Sequence, residues 1–433
     1  MTTRKRRRGA VVRAGRRASW PLADQALSSL TNFALGVGVA RSVSPGGLGA
    51  FGLAFATYTL ALNASRALVA SPFLIRHSGT GETHWRSGAG SASGAALSLG
   101  GVLGAACLVV ALATTGAMQQ AFLGLGLTMP GLLLQDLWRF SFFAASRGVH
   151  GFVNDLAWTV VLLPTLAFQT FTGQRSVGWF VAAWGGAATV AALVGIVQAR
   201  LVPQPNETWD WFRRHRDLGP RYLGEFAANQ AGREFTVFFT AAVAGLTATG
   251  SLRAGTILIG PLHVLFMSAP MYAVPEGVRL LKQSPDKLRQ AVTVLAMVLG
   301  SAAVVWGMAV QFIPSAVGKE LLGASWQLGQ HVAIPLAVGA AATGVTMGAT
   351  MGLRSLAAAK ESLSARLAVM VFMVVGAGTG ATLGGGFGAA TGLAVALWLG
   401  VVVWWRALAR ALRQYEPSEE VATAGTVDLS AGI

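Results

Sequence analysis

The sequence predicts an all-α membrane protein with about twelve transmembrane helices in two six-helix bundles and both termini cytoplasmic. Three observations carry this. Of 433 residues, 53% are hydrophobic and only 12% are charged. That is about half the charge density of a soluble domain, so most of the surface must face lipid. The apolar residues fall in runs separated by short basic stretches, each run near the roughly 20 residues a spanning helix needs. Lys and Arg then segregate by side: 26 of 33 lie in alternate gaps, four (Arg41, Arg175, Arg253 and Lys319) in the others, and Arg66, Arg139 and Arg233 inside runs. This is the positive-inside pattern, and it accounts for the net charge of +16 without any nucleic-acid partner.

In chain order, the runs place helices at 20–40, 48–73, 90–113, 121–144, 151–171, 177–197, 222–246, 254–273, 291–313, 330–353, 367–383 and 387–405. Residues 1–19 form a basic cytoplasmic N-terminus. Asp24, Gln25, Thr31 and Asn32 make the first run too polar for a cleaved signal core, so it is read as retained. The first six helices form a bundle over 20–200, and the last six a second bundle over 222–413. The link at 201–221 places Trp209, Trp211 and Phe212 beside Arg213, Arg214 and Arg216. It reads as an interfacial segment along anionic headgroups, or equally as a hinge between bundles. The polar tail, 414–433, reads as disordered. External gaps are short, which argues against envelope enzymes that carry their chemistry on large external loops. Gly384-Gly385-Gly386 marks a tight external turn.

The two halves echo each other. Asp24, Ser28 and Asn32 recur as Glu225, Asn229 and Arg233 at an offset of 201, and Gly52, Pro72 and Arg76 as Gly255, Pro275 and Arg279 at 203. Both halves start inside and contain six spans, so the repeats run parallel about an axis along the membrane normal, a transporter plan.

Function must then reside in polar groups inside the spans. An ionised side chain at the bilayer centre costs roughly 2.5–3.5 kcal/mol on insertion scales, and Arg cannot escape by deprotonation. Arg66, Arg139 and Arg233 therefore face either a wet cavity or a partner. Thr59, Asn63 and Arg66 share a face, and Asn32 and Asn229 belong to similar stripes on the first and seventh helices. In the functional reading these residues line a cavity whose guanidinium groups hold a phosphorylated headgroup bidentately. In the other reading they pair internally, Arg139 with Asp136 one turn away and Arg233 with Glu225 or Glu234. Asp24, Asp136, Asp155, Glu225 and Glu234 are gate or ion-coupling candidates. Pro130, Pro164, Pro261 and Pro270 interrupt spans and supply kinks. The single Cys107 rules out an internal disulfide and a multi-cysteine metal site. With no Walker sequence, metal cluster or cofactor motif, the chain is read as a non-enzyme without a cofactor.

Several stretches resemble one family. These are Leu27-Ser-Ser-Leu-Thr-Asn-Phe33 through Gly36-Val-Gly-Val-Ala-Arg41, Gly49-Ala-Phe-Gly-Leu-Ala54, Pro130-Gly-Leu-Leu-Leu-Gln-Asp-Leu-Trp-Arg139 and Asn154-Asp155. They are similar to the polysaccharide-transporter branch of the multidrug/oligosaccharidyl-lipid/polysaccharide exporter superfamily, whose helix count fits the whole chain. The resemblance implies export of a polyprenyl-pyrophosphate-linked oligosaccharide by alternating access across a bacterial cytoplasmic membrane. The implied partners are the lipid-linked substrate, membrane lipids and the glycosyltransferases or polymerase of the same pathway. The buried acids keep a second expectation open, a cation-coupled small-molecule exporter. A third is a membrane scaffold for glycan assembly that moves no substrate.

Overall fold

The computed structural model describes residues 23–415, apart from the side chains of 225, 227–231, 264, 268, 271 and 272. The basic segment 1–19 and the tail from 416 lie outside the described residues. Within them every regular element is a helix. The first eight are α1 (23–42), α2 (Pro45–His77), α3 (Glu82–Ala113), α4 (Gly116–Ala144), α5 (Gly148–Phe171), α6 (Val177–Ala199), the short α7 (Thr208–Arg214) and α8 (219–244). The rest are α9 (246–281), α10 (Pro285–Gln311), α11 (Ser315–Leu322), α12 (Trp326–Ser355), α13 (359–383) and α14 (386–413).

Two of these boundaries are glycine breaks in otherwise continuous helical stretches. A straight 63-residue helix over Gly219–Leu281 would run about 95 Å, three membrane thicknesses. Gly245 interrupts it at φ 81°, ψ 179°, a region open essentially to glycine alone. Gly384 and Gly385 divide Ala359–Arg413 in the same way, the second at φ 57°. Nine stretches of the described residues are long and apolar enough to cross a membrane. Dividing those two at their glycines, and adding α1 with its polar residues, gives the twelve spans expected. The sequence placed the first of these turns wrongly, between 246 and 254. It lies at Gly245, which moves Arg253 from an external loop into α9.

The described chain forms two compact units, one running to Ile257 and including Pro314–Gly329, the other comprising Leu258–Ile313 and the chain from Gln330 onward. These differ from the halves 20–200 and 222–413 expected from sequence, as the start of α9 packs on α1 and α2. A methyl group at Gly49 would lie 1.8 Å from the Leu246 carbonyl oxygen, and one at Gly250 2.0 Å from that of Pro45. With no driving force between apolar helices in lipid, such close backbone approach supplies the packing.

In the first unit α4 is the central helix, in contact with α2, α3, α5 and α6. Gly104 and Gly126 let α3 and α4 meet, each Cα lying near the other's carbonyl oxygen. A core of Val69, Phe73, Trp85, Leu137, Trp138, Phe142 and Trp211 fills one end. The link is part of this core. Trp211 is 1% exposed while Trp209 on the other face is 76% exposed. The Gln204 amide donates to the Gly90 carbonyl at 3.1 Å. Arg76 donates to the Arg214 carbonyl and the Asp217 carboxylate at 2.7 and 2.9 Å.

The second unit has α13 and α14 back to back. Gly376 faces Gly392 and Gly380 faces Gly388, and a methyl group at Gly392 would sit 1.8 Å from the Gly376 carbonyl oxygen. Its core is built around Leu288, Val292, Ala349, Leu353, Trp404 and Leu408.

Candidate functional site

All the in-span charges predicted from sequence, other than Glu225, have described side chains, and they lie in the first unit. One group joins α1, α2, α4 and α5. Arg66 on α2 grips Asp136 on α4 with both arms of its fork, Nε to Oδ2 at 2.8 Å and Nη2 to Oδ1 at 2.6 Å. Its guanidinium also lies over the Phe140 ring, 5.2 Å from the centroid. Arg139, one turn beyond Asp136, turns instead to α1, where Nε donates to Asp24 Oδ2 at 2.5 Å and Nη2 to Gln25 Oε1 at 3.3 Å. Asp155 on α5 stands 3.9 Å from the same Nε, held by Gln135 Nε2 at 2.7 Å. Asn154 beside it donates to the Ala191 carbonyl on α6 at 2.7 Å.

The internal pairing is not the one the sequence offered as an alternative, Arg139 with its neighbour Asp136. The acid one turn away on the same helix belongs to Arg66, which has no acid near it in sequence, and Arg139 reaches across to Asp24. Bidentate geometry explains the choice: Arg66 meets Asp136 fork to fork, a stronger contact than a bent i, i+3 approach along one helix.

The cluster is short of positive charge, with three carboxylates facing two guanidinium groups. Asp24 Oδ1 and Asp155 Oδ2 are buried without a hydrogen-bond partner. Asp24, Asp136 and Asp155 are 0%, 5% and 1% exposed, whereas the Arg66 side chain is 33% exposed. One positive charge, a proton or a monovalent cation, balances the count. Buried charge without a counter-charge is otherwise prohibitive.

Arg66 also begins an irregularity in α2. Residues Arg66–Ala70 form a π turn, with the Ser71 amide bonded to the Arg66 carbonyl, and π turns recur at functional positions in helices. Pro72 follows and has no N–H to offer the Leu68 carbonyl four residues earlier. The indole of Trp211 donates to that carbonyl instead, at 3.2 Å.

The others are spread over two helices, Arg233 and Glu234 adjacent in sequence on α8 and Arg253 in the first turns of α9. Arg253 stacks on α2 aromatics, 4.1 Å from the Phe55 centroid and 5.4 Å from that of Phe51. Those rings continue into Tyr58 and Trp184, the last two edge to face at 4.7 Å. Among the described residues neither Arg233 nor Arg253 forms a salt bridge, and Arg253 Nε is buried without an acceptor. Sequence reasoning missed Arg253, although the signal was present: the repeat offset of 201 carries the turn residue Ser44 onto Gly245.

The remaining predicted residues are quieter. Asn63 donates to the Thr59 carbonyl at 2.7 Å and Thr59 to that of Phe55 at 2.9 Å, so part of the α2 polar stripe is satisfied within its own helix. Asn32 is half-buried on α1. Glu225 and Asn229 lie on α8 with side chains outside the described residues. Among the described residues no group of three His, Cys, Asp or Glu side chains is placed to hold a metal.

By sequence, no protein-family profile and no curated protein matches the chain. By structure it is similar to a multidrug resistance MATE family transporter of the MOP superfamily in an inward-facing conformation. That match has TM-score 0.65 at 16% identity, over 90% of this chain and 96% of that one. It is similar to the lipid II flippase MurJ, in an inward closed conformation, at TM-score 0.64 and 8% identity, over 95% and 96% of the two chains. A MOP superfamily transporter from Pyrococcus furiosus Vc1, described as having a binding pocket of reversed polarity, follows at TM-score 0.52 and 14% identity, over 91% and 94%. The chain thus has the twelve-helix, multi-pass fold of MOP-superfamily transporters.

Proposed function

We propose, from the fold shared with MOP-superfamily transporters, that this chain is a flippase for a lipid-linked oligosaccharide. It carries a polyprenyl-pyrophosphate headgroup across a bacterial cytoplasmic membrane by alternating access, both termini facing the cytoplasm. The observation that supports this best is the pair of in-span guanidinium groups, Arg233 and Arg253, that no carboxylate within the described residues neutralises by a salt bridge. An unpaired Arg inside a span is costly and persists where an anion visits; the planar fork suits a pyrophosphate. Arg66 and Arg139, expected from sequence to share that contact, are engaged with aspartates. Their group fits the coupling role: Asp24 and Asp155 share the missing positive charge, and its arrival or departure biases the transporter between states. Glycosyltransferases or a polymerase of the same pathway supply and consume the substrate.

The test uses the full chain in proteoliposomes with a fluorescent polyprenyl-pyrophosphate oligosaccharide. Arg233→Ala and Arg253→Ala are each expected to reduce flipping at least tenfold while the protein stays inserted. Normal flipping by both rejects the assignment. The excess of acid favours a second reading, a cation-coupled exporter of small molecules. Drug efflux that Asp155→Asn abolishes, with no flipping by the parent protein, selects it.

A further inference from the structure

We infer that Trp211, on the link outside the spans, is a positioning residue for Arg66, acting through the π turn of α2. The inference rests on the proposed transport function only in assigning Arg66 a role in turnover; the positioning itself is a matter of geometry.

Three facts combine. Pro72 removes the one backbone donor that an α-helix would supply to the Leu68 carbonyl. The chain answers with a π turn over Arg66–Ala70 and an external donor, the Trp211 indole, at 3.2 Å from that carbonyl. Trp211 is fixed in turn: it is 1% exposed, lies in the core with Phe73 and Trp85, and stacks on His215 at 3.9 Å.

A π turn holds one more residue than an α turn, so gaining or losing it rotates everything on one side by about 100° relative to the other. Arg66 stands at the first residue of the turn. With the turn present, its fork meets Asp136. In an unbroken α-helix of the same sequence the side chain swings off that partner. The indole N–H stabilises the first arrangement by giving the Leu68 carbonyl the donor that Pro72 lacks. The docked link thus sets the register of the helix that carries Arg66, and any movement of the link transmits to the Arg66–Asp136 pair.

The experiment measures coupling between the indole and the ion pair in the full-length protein in detergent. Melting temperatures are compared for Arg66→Ala in three backgrounds: the parent chain, Trp211→Phe, and Pro72→Ala. The phenyl ring keeps an aromatic face but loses the N–H together with part of the packing volume. Pro72→Ala restores the backbone donor, leaves Trp211 in place and is the variant least prone to misfolding. We expect Arg66→Ala to lower the melting temperature in the parent chain and to have at most half that effect in the other two. An equal drop in all three overturns the inference. Half-saturating substrate concentration in the flipping assay is read alongside, with a several-fold rise expected for Trp211→Phe and no change in the amount of inserted protein. Lost coupling with unchanged flipping upholds the positioning and removes Arg66 from the transport cycle, which separates failure of the functional reading from failure of the geometric one.

Discussion

The interiors of the two compact units differ in kind. The first contains in-span charges, an aromatic row and a helix with a π turn. The second holds α13 and α14 together by glycines set backbone to backbone, around a hydrophobic core, with an apolar groove of about 510 Å³ lined by Ile334, Pro335, Val338, Phe387, Trp398 and Leu399. Both units live in the same solvent, so the contrast is not imposed by lipid. Close packing of small residues is the inexpensive way to hold membrane helices together, and the second unit combines it with indole and amide hydrogen bonds to carbonyls, as from Trp398 to Val338 and from Gln311 to Gln330. The charges of the first unit cost stability that packing alone would not demand, which argues that they are kept for what they do. Among the described residues the paired in-span charges thus lie in the first unit.

The largest expected effect lies in the second unit. Gly392→Leu puts a side chain into the Gly376 carbonyl and should prevent the α13–α14 hairpin from closing, with no monodisperse protein recovered after solubilisation. The milder Gly392→Ala should cost about 1–3 kcal/mol by overpacking, read as a fall in melting temperature with any residual transport per molecule unchanged. A well-folded Leu variant would show that the glycine contact is dispensable.

In the charged unit the expected pattern is the reverse, modest stability loss with abolished function. Asp136→Asn strands Arg66, a third of which is exposed, so the cost should be about 1–3 kcal/mol and not the 3–5 of a fully buried pair. Replacing both, as Arg66→Met with Asp136→Leu, should recover the melting temperature but not the flipping. Recovery of both would place the pair among the scaffolding. Asp155→Asn should leave the stability within about 1 kcal/mol of the parent while abolishing gradient-driven transport and sparing exchange at equilibrium; loss of both modes would assign Asp155 to substrate and not to coupling.

The smallest effect concerns the docked link. Burial holds the His215 imidazole below its ordinary value of 6.5, and its Nε2 has no partner. The undocked link therefore takes up a proton more readily than the docked one, so the stability His215 contributes is present above pH 6.5 and is lost as pH falls below it. Protease cleavage of the link should rise between pH 7.5 and 5.5 in the parent and less in His215→Gln. An equal rise in both would acquit His215.

The sequence was most informative where one residue type controls the outcome. Helix count and helix-forming runs follow from hydropathy, and the turn at Gly384–Gly385 follows from three consecutive glycines. The turn at Gly245 was misplaced because Thr-Gly-Ser-Leu-Arg253 is polar enough to pass for a loop, when it is the first turns of α9. The charged residues of the site were legible, since an Arg or Asp inside a span stands out against apolar neighbours. Their pairing was not. Asp136 lies 70 residues from Arg66 and Asp24 lies 115 from Arg139, and only packing of four helices decides which acid meets which base. The donor from Trp211 to Leu68 was likewise out of reach, although Pro72 announced that some carbonyl would need one.

Gly245 has a practical consequence. A single residue with φ 81° separates α8 from α9, so the azimuth of one helix fixes that of the other, and Arg253 keeps its place over Phe55 only while no residue is added between them. Topology mapping by inserted epitopes or reporter fusions at this corner would scramble the very feature it set out to locate. Single cysteine replacement at the exposed Thr247, labelled from either side in a Cys107→Ala background, reads its sidedness with the corner left whole.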